Sequence, residues 1–469
     1  MRYPMTEIPF ARLHAIAIAA LLLGGCAVGP TYQRPSTPEP AAFKEAAPGW
    51  SPAQPADMLE KGPWWTLFGD PVLNQLASQV EVSNQNVAAA VASYAQARAL
   101  VQAQRASLFP EVGLNTSADR SGGNDVPAES RYRLSIGGSW EPDIWGRLRA
   151  GVSAASAGAE ASAADLAAAR LSAQGELAIN YFLVREADAQ LALLATTIEG
   201  YQRVSTITQN RFNAGIVAKS DVLQAQTQLA NAQGDQLSIA RQRAQFENAI
   251  AILVGKSPSS FSLAAAPWTA AVPDIPVGVP STLLERRPDI AAAERRVAAA
   301  NQQIGIARSA YYPSIGLSGS YGTGGSKVGD LFSVSNALWS FGLSAAQSIF
   351  NAGATRASVA GAEAQHEVQV ARYRQTVLAA FGDVENQLAA ARILASQQVL
   401  RKQASDAADQ VETQMLNRYK AGQVGYSEVV LAQASALSAR RALVQVQADR
   451  QATAVALIQS IGGGWKVGQ

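Results

Sequence analysis

Cysteine occurs once in this chain and histidine twice, in 469 residues. That scarcity removes disulfide frameworks and paired-cysteine metal motifs from consideration. Charge is scarce as well. Asp, Glu, Lys and Arg make up 16%, against about 25% in ordinary soluble domains. The signs nearly cancel, 38 basic residues against 36 acidic, so no net field calls for nucleic acid or an anionic surface. The one long apolar run, Ala15–Leu23, falls well short of the roughly 20 residues that a helix needs to cross a bilayer. If the chain spans a membrane, it does so with strands. Catalytic parts are missing too. There is no Gly-x-Ser-x-Gly elbow, and His366-Glu367 has no second histidine four residues on, as a zinc-protease helix would. Gly255-Lys256-Ser257 resembles the end of a phosphate-binding loop, but Ile250 stands where the leading glycine belongs and a helical pattern precedes it. The chain reads as a non-enzyme with no cofactor and no metal site.

The N-terminus carries the first positive signal. Arg2 and Arg12 precede the apolar run and Leu23-Gly24-Gly25-Cys26 follows it, the pattern of an export signal with a small-residue cleavage site. Residues 1–25 are expected to be removed. Cys26 would then open the mature chain and carry a covalent lipid, each buried methylene adding about 0.8 kcal/mol of membrane affinity. An ordinary export signal with an incidental cysteine is the alternative. Ala27 follows the cysteine, so nothing here resembles a signal for retention at the inner membrane.

Comparing the chain with itself reveals two halves. Ala106-Ser107-Leu108-Phe109-Pro110-Glu111-Val112-Gly113-Leu114 matches Ser309-Ala310-Tyr311-Tyr312-Pro313-Ser314-Ile315-Gly316-Leu317, about 203 residues on. Asn210-Arg211-Phe212-Asn213-Ala214-Gly215 matches Asn417-Arg418-Tyr419-Lys420-Ala421-Gly422, about 207 residues on. The order of elements is the same in both halves. The first repeat is placed at 74–260 and the second at 282–461, with a segment 26–73 before them, a linker 261–281 between them and a tail 462–469.

Each half alternates helix and strand patterns. Residues 74–108 lack Gly and Pro and read as one helix ended by Pro110. Strands are expected at about 111–121 and 131–140, with Ser121–Ser130 as an exposed hairpin loop, and in the second half at about 314–324 and 336–346. Apolar Tyr132, Leu134 and Ile136 alternate with Arg133, Ser135 and Gly137, and Trp339, Phe341 and Leu343 alternate with Ser340, Gly342 and Ser344. Each strand is about as long as a tilted membrane strand must be. A half-buried soluble sheet fits the same alternation. The membrane reading carries a further demand, because a spanning sheet must close and the smallest such barrels have about eight strands. Four strands cannot close alone, and three copies are one solution.

Long proline-free helical patterns run from Gly146 to Phe212 and from Gly353 to Tyr419, about 100 Å of helix each. Val184, Ala187, Leu191, Leu194, Ile198 and Tyr201 form a coiled-coil seam on the first, and Val377, Phe381, Val384, Leu388, Ala391 and Ala395 form one on the second. Both end in glycine-containing turns, 212–221 and 419–428, before a second helix runs back. Gly215 and Gly422 are C-cap candidates. Ser220 and Ser427 are N-cap candidates for the returning helices, with Asp221 and Glu428 in their first turns. Capping accounts for all six. A docking surface or gate built from the two matching turns is the functional alternative.

Taken in order, Gly25-Cys26-Ala27-Val28-Gly29-Pro30-Thr31-Tyr32-Gln33-Arg34-Pro35, Trp64-Trp65-Thr66-Leu67-Phe68-Gly69-Asp70-Pro71, Arg286-Arg287-Pro288-Asp289-Ile290-Ala291-Ala292-Ala293-Glu294 and the two repeats make the chain resemble the TolC-like outer membrane factors, especially their NodT-type lipoproteins. The resemblance implies an α+β membrane protein: a homotrimer whose four strands per protomer form a twelve-stranded β-barrel in the outer membrane. A long periplasmic α-helical barrel with a mixed equatorial domain continues it. It implies an exit duct for drugs or toxic compounds, partnered by a periplasmic adaptor and an inner-membrane pump, commonly of the resistance-nodulation-division class. The adaptor would engage the turns around Gly215 and Gly422. Related channels often narrow the closed end with carboxylates; here Val424 and Leu431 occupy such places, and Glu428 is the nearest acid. The pairing some relatives make between a first-turn Asp and a second-turn Arg lacks its cation, because Asp221 is present but Gln423 and Val424 are neutral. A lipid-anchored structural or adaptor protein without a pore is the competing class.

Overall fold

The computed structural model describes residues 28–37, 42–45, 63–273, 275 and 287–463. The export signal, Cys26, most of the segment before Trp64, the end of the 261–281 linker and the tail beyond 463 lie outside the described residues. Within them the chain runs as helices α1 (Pro71–Ser83) and α2 (Gln85–Ala106), strands β1 (Glu111–Gly123) and β2 (Val126–Trp140), then helices α3 (Arg147–Asn213) and α4 (Lys219–Leu253). The second half repeats the order with α5 (Pro288–Ser309), β3 (Ser314–Gly325), β4 (Ala337–Ala346), α6 (Ala354–Lys420) and α7 (Tyr426–Ser460). The repeat extends to length: α3 and α6 have 67 residues each, and α4 and α7 have 35 each. Among the described residues no helix is long and apolar enough to cross a membrane.

Two expectations need correction. Residues 74–108 are not one helix, because the chain breaks at Asn84. Its Oδ1 accepts from the amides of Asn86 and Val87 at 2.9 and 3.1 Å, which starts α2 afresh, and its Nδ2 donates to Leu253 O at 2.9 Å. The β1–β2 hairpin is also longer than 121–130 allowed for. Pairing continues to Gly123 and Val126 across a bulge after Ser121, leaving only Asn124 and Asp125 as the turn.

The chain divides into two compact units. Among the described residues, one holds those within 28–37, 92–163 and 292–375 and contains the sheet, a single antiparallel layer in the order β1-β2-β3-β4. The other holds those within 42–45, 63–91, 164–273, 275, 287–291 and 376–463, and its core runs between helices. Ala187 and Leu194 of α3 pack there with Ile239 of α4 and Leu437 of α7. Both expected seams lie inward, with Val184, Leu194, Val377 and Val384 fully buried.

A buried ion cluster pins the linker between the repeats to this unit. Asp188 accepts from Arg185 at 3.0 Å and from Arg243 at 2.6 Å, while these two guanidiniums donate onward to Ala264 O at 2.8 Å and Leu263 O at 2.6 Å. Trp268 and Gln451 finish the attachment: the indole donates to the Gln451 carbonyl at 2.8 Å, and the Gln451 amide donates to Thr269 O and Ala271 O. The buried guanidinium of Arg185 and the buried amide of Gln451 thereby spend donors on linker carbonyls, which offsets the cost of burying them. Gly255-Lys256-Ser257 is the end of α4. Gly255 has φ +69° and donates to Ile252 O, and Lys256 donates to Ala251 O, a glycine-capped helix terminus.

Candidate functional site

The sheet has two chemically opposite faces, because direct cross-strand partners share a face. Leu114, Ile136, Tyr321 and Trp339 are paired in one row across all four strands. The next two rows on that face, both on the side away from the β1–β2 turn, add Val112 and Phe341 and then Trp140, Leu317 and Leu343. Apart from half-buried Leu317 these side chains are exposed, Trp339 by 78% and Phe341 by 74%. The other face carries Asn115, Ser135, Gly137, Ser318, Ser320, Ser340 and Gly342, with the Ser320 and Ser340 hydroxyls 2.8 Å apart. Strands β1 and β4 are edges, each paired on one side only. An apolar, aromatic face this exposed belongs against something apolar. At the helix end of the sheet Trp140 donates to Leu108 O at 2.9 Å, and Trp145 stacks on Tyr312 at 4.8 Å while donating to Pro313 O at 2.7 Å.

A strap formed by residues 28–37 runs along this unit. The Val28 amide donates to Trp145 O at 3.4 Å, and Pro30 O accepts from Asn301 at 2.9 Å. Between these contacts Gly29 crosses Gly305 of α5 so closely that a Cβ on Gly305 would lie 2.9 Å from the Gly29 Cα. Farther on, the Tyr32 hydroxyl donates to Glu294, Arg34 donates to the Tyr373 hydroxyl at 3.2 Å, and Arg374 donates to Ser36 O at 3.3 Å. Burial beside Glu294 pushes the Tyr32 phenol well above its usual range. Two of the sequence motifs, Gly29–Arg34 and Arg287–Glu294, thus meet side chain to side chain.

In the helical unit, the turns after α3 and α6 are built alike. Gly215 and Gly422 have φ +72° and +75°. In each turn the glycine amide and the next amide bond back to the last turn of the helix, at 2.8 Å for both in the first and 2.9 Å for both in the second. This is the six-to-one and five-to-two pattern of a Schellman cap. The serines do not cap the returning helices. Those start earlier, at Lys219 and Tyr426, after Ala218 and Gly425, neither of which makes a side-chain cap. Ser220 and Ser427 are second residues of their helices instead, and Asp221 and Glu428 lie in the first turns.

The two turns are tied together by a residue that the motif search passed over. The Arg211 guanidinium lies 4.8 Å from the Tyr419 ring centre and donates to Tyr419 O at 3.2 Å. Tyr419 packs in turn on Tyr426 at 5.4 Å and lies 3.4 Å from the Thr208 hydroxyl. Val204, Ala225 and Val429 close a small core around them. Burial pushes the Tyr426 phenol up to about 12, assisted by Tyr419, Tyr201 and Asp221. The available signal was position, since an arginine in the last turn of α3 faces unsatisfied helix carbonyls. Ile216, Glu428 and Leu431 are exposed here.

The sequence model of the outer membrane efflux proteins matches residues 76–256 and 279–463. The chain belongs to the outer membrane efflux protein family. Its relatives extend over nearly the whole length. The solvent efflux pump outer membrane protein SrpC of Pseudomonas putida is 32% identical over 462 residues, covering 96% of this chain and 98% of that one. The cation efflux system protein CusC of Escherichia coli is 30% identical over 453 residues, covering 95% and 97%. Among solved structures, the outer-membrane channel OprN superposes with a TM-score of 0.85 at 31% identity, covering 94% of this chain and all of that one. The exposed apolar face and the small polar face are therefore those of an outer-membrane efflux channel protein.

Proposed function

We propose that three copies of this chain form the passive exit duct of a tripartite efflux assembly. The observation that carries the proposal is the open sheet, with one apolar face, one small polar face and unpaired edges at β1 and β4. Unpaired strand edges are too costly in hydrocarbon to persist. Joining β4 of one copy to β1 of the next satisfies both edges, and three sheets of four strands give a closed barrel larger than the minimum of about eight. The polar face then meets water and the apolar face meets lipid.

Energy and selection belong to partners, an inner-membrane pump of the resistance-nodulation-division class and a periplasmic adaptor. The adaptor engages the two turns at Gly215, Ser220 and Asp221 and at Gly422 and Ser427. Exposed Glu428, in the first turn of α7, is the carboxylate that a threefold ring would use to attract cations at the gate. The covalent lipid on Cys26 anchors each copy. Relatives named for solvents and for cations support a duct that does not itself select its cargo of small toxic molecules.

Negative-stain imaging of the detergent-extracted full-length lipoprotein tests this reading. Threefold particles well over 100 Å long, about the length of one long helix, with a central channel in end views, are the expected result. Thin monomeric rods or compact globules would refute it and favour a structural protein without a pore.

A further inference from the structure

The segment joining β3 to β4, residues 326–336, is far longer than the Asn124–Asp125 turn that joins β1 to β2, and it is a built element. Its two short 3-10 turns, Val328–Phe332 and Val334–Asn336, are organised by Asp330. The Asp330 carboxylate accepts from the Lys327 amide at 2.9 Å and its amide donates to Lys327 O at 3.0 Å. The Asp330 carbonyl accepts from the Ser333 amide at 3.2 Å and from the Asn336 side chain at 3.1 Å.

Two contacts show which face of the sheet this loop covers. The Thr323 hydroxyl donates to Leu331 O at 2.7 Å. The Asp330 side chain fills the space that a Cβ on Gly325 would occupy. Thr323 and Gly325 follow Tyr321 at every second residue, so all three stand on the apolar face. Gly324, on the opposite face, looks at Arg133 and Leu338 instead. The loop therefore folds back over the turn end of the apolar face and satisfies the Thr323 hydroxyl there. There it presents Val328, Phe332 and Val334, exposed by 55%, 82% and 89%. Burying side chains of this kind is favourable, and a loop held by these hydrogen bonds has little freedom to tuck them in.

We infer that this loop is a membrane-dipping element whose occupant is the acyl layer of the outer leaflet. Two observations select lipid over a second copy of the chain. The apolar residues continue the face that already meets lipid. The turn Val328–Phe332 touches β2 and β3, the inner strands of its own sheet, whereas a neighbouring copy would join at the edges β1 and β4. The inference rests on the proposed barrel, and the test separates the two.

Cysteine would be introduced singly at Phe332, Val334, Asn124, Phe341 and Ser340 of the full-length lipoprotein, where Cys26 is the only native thiol and is blocked by its lipid. Each variant would be nitroxide-labelled and reconstituted in phosphatidylcholine/phosphatidylglycerol vesicles. Collision with oxygen, which partitions into acyl chains, is compared with collision with a water-soluble nickel chelate. Oxygen-favoured labels at 332, 334 and 341 with chelate-favoured labels at 124 and 340 are expected. A chelate-favoured signal at 332 and 334 beside an oxygen-favoured 341 would overturn the dipping loop and leave the barrel standing. Shielding of 332 and 334 from both reagents would also overturn it, by showing that protein covers them. A chelate-favoured 341 would sink barrel and loop together.

Discussion

Neighbouring residues of β4 should respond in opposite ways to the same charge. Phe341 stands mid-strand on the apolar face and Ser340 on the polar one. In the proposed trimer, arginine at the bilayer midplane on the lipid face costs about 2–4 kcal/mol per copy. Three copies bring that to about 6–12 kcal/mol, before the lost burial of the phenyl ring is counted. That sum rivals the whole stability of a typical domain, about 5–15 kcal/mol. At Ser340 the same arginine gives up one hydroxyl contact with Ser320, about 1 kcal/mol, and keeps its charge in water. Semi-native gels of outer-membrane fractions would report the proposed trimer directly. F341R should be missing from the trimer band while S340R stays near the parent level. Equal loss in both variants, or loss in S340R alone, would refute the assignment of the faces.

Three further outcomes follow from the helical unit and the strap. D188A leaves Arg185, only 4% exposed at its side chain, without its carboxylate, so the thermal midpoint in detergent should fall by the equivalent of about 3–5 kcal/mol, and D188N should lose less. Glu186 is pushed up from 4.5 to about 7, first by burial and then by the charge of Asp449, against a hydrogen bond from Gln190. Between those values the folded chain holds a proton that the unfolded chain has released, so stability falls as pH rises through that window. Thermal midpoints taken from pH 5 to 8 should decline in the parent and decline less in E186Q, with E186Q the more stable of the two above pH 7. G305A drives a Cβ into Gly29 and should free the strap to proteases, whereas G361A, which meets nothing within 4 Å in α6, should be neutral or stabilising by about 0.5–1 kcal/mol.

The elements that could be read in advance are those whose signal is periodic or stereochemical. Alternation on β2 and β4 placed the strands because one face is uniformly apolar. Gly215 and Gly422 announced the helix ends because only glycine adopts their positive φ without strain. The pairing beyond Ser121 could not be read, because Glu129 and Ser130 carry no apolar alternation, yet their backbones still pair with Ser121 and Arg120. The break at Asn84 hid for a related reason: a polar residue between two helical patterns is equally a surface position until its amide is seen bonded to Leu253. Ser220 and Ser427 misled because the turn spends fewer residues before the next helix than a serine cap would require. The strap's role rests on contacts 262 and 339 residues apart in sequence, which no local pattern carries.

The equal lengths of α3 and α6, and of α4 and α7, bear on how such a chain can change by insertion and deletion. Losing seven residues from α3 alone would withdraw its turn by about 10 Å and take Arg211 away from Tyr419. Restoring the match would need the same loss in α4, α6 and α7, four coordinated events in one gene. Substitutions face no such demand. A lineage can therefore revise the exposed letters of these helices while their length stays fixed, and length becomes a durable record of descent.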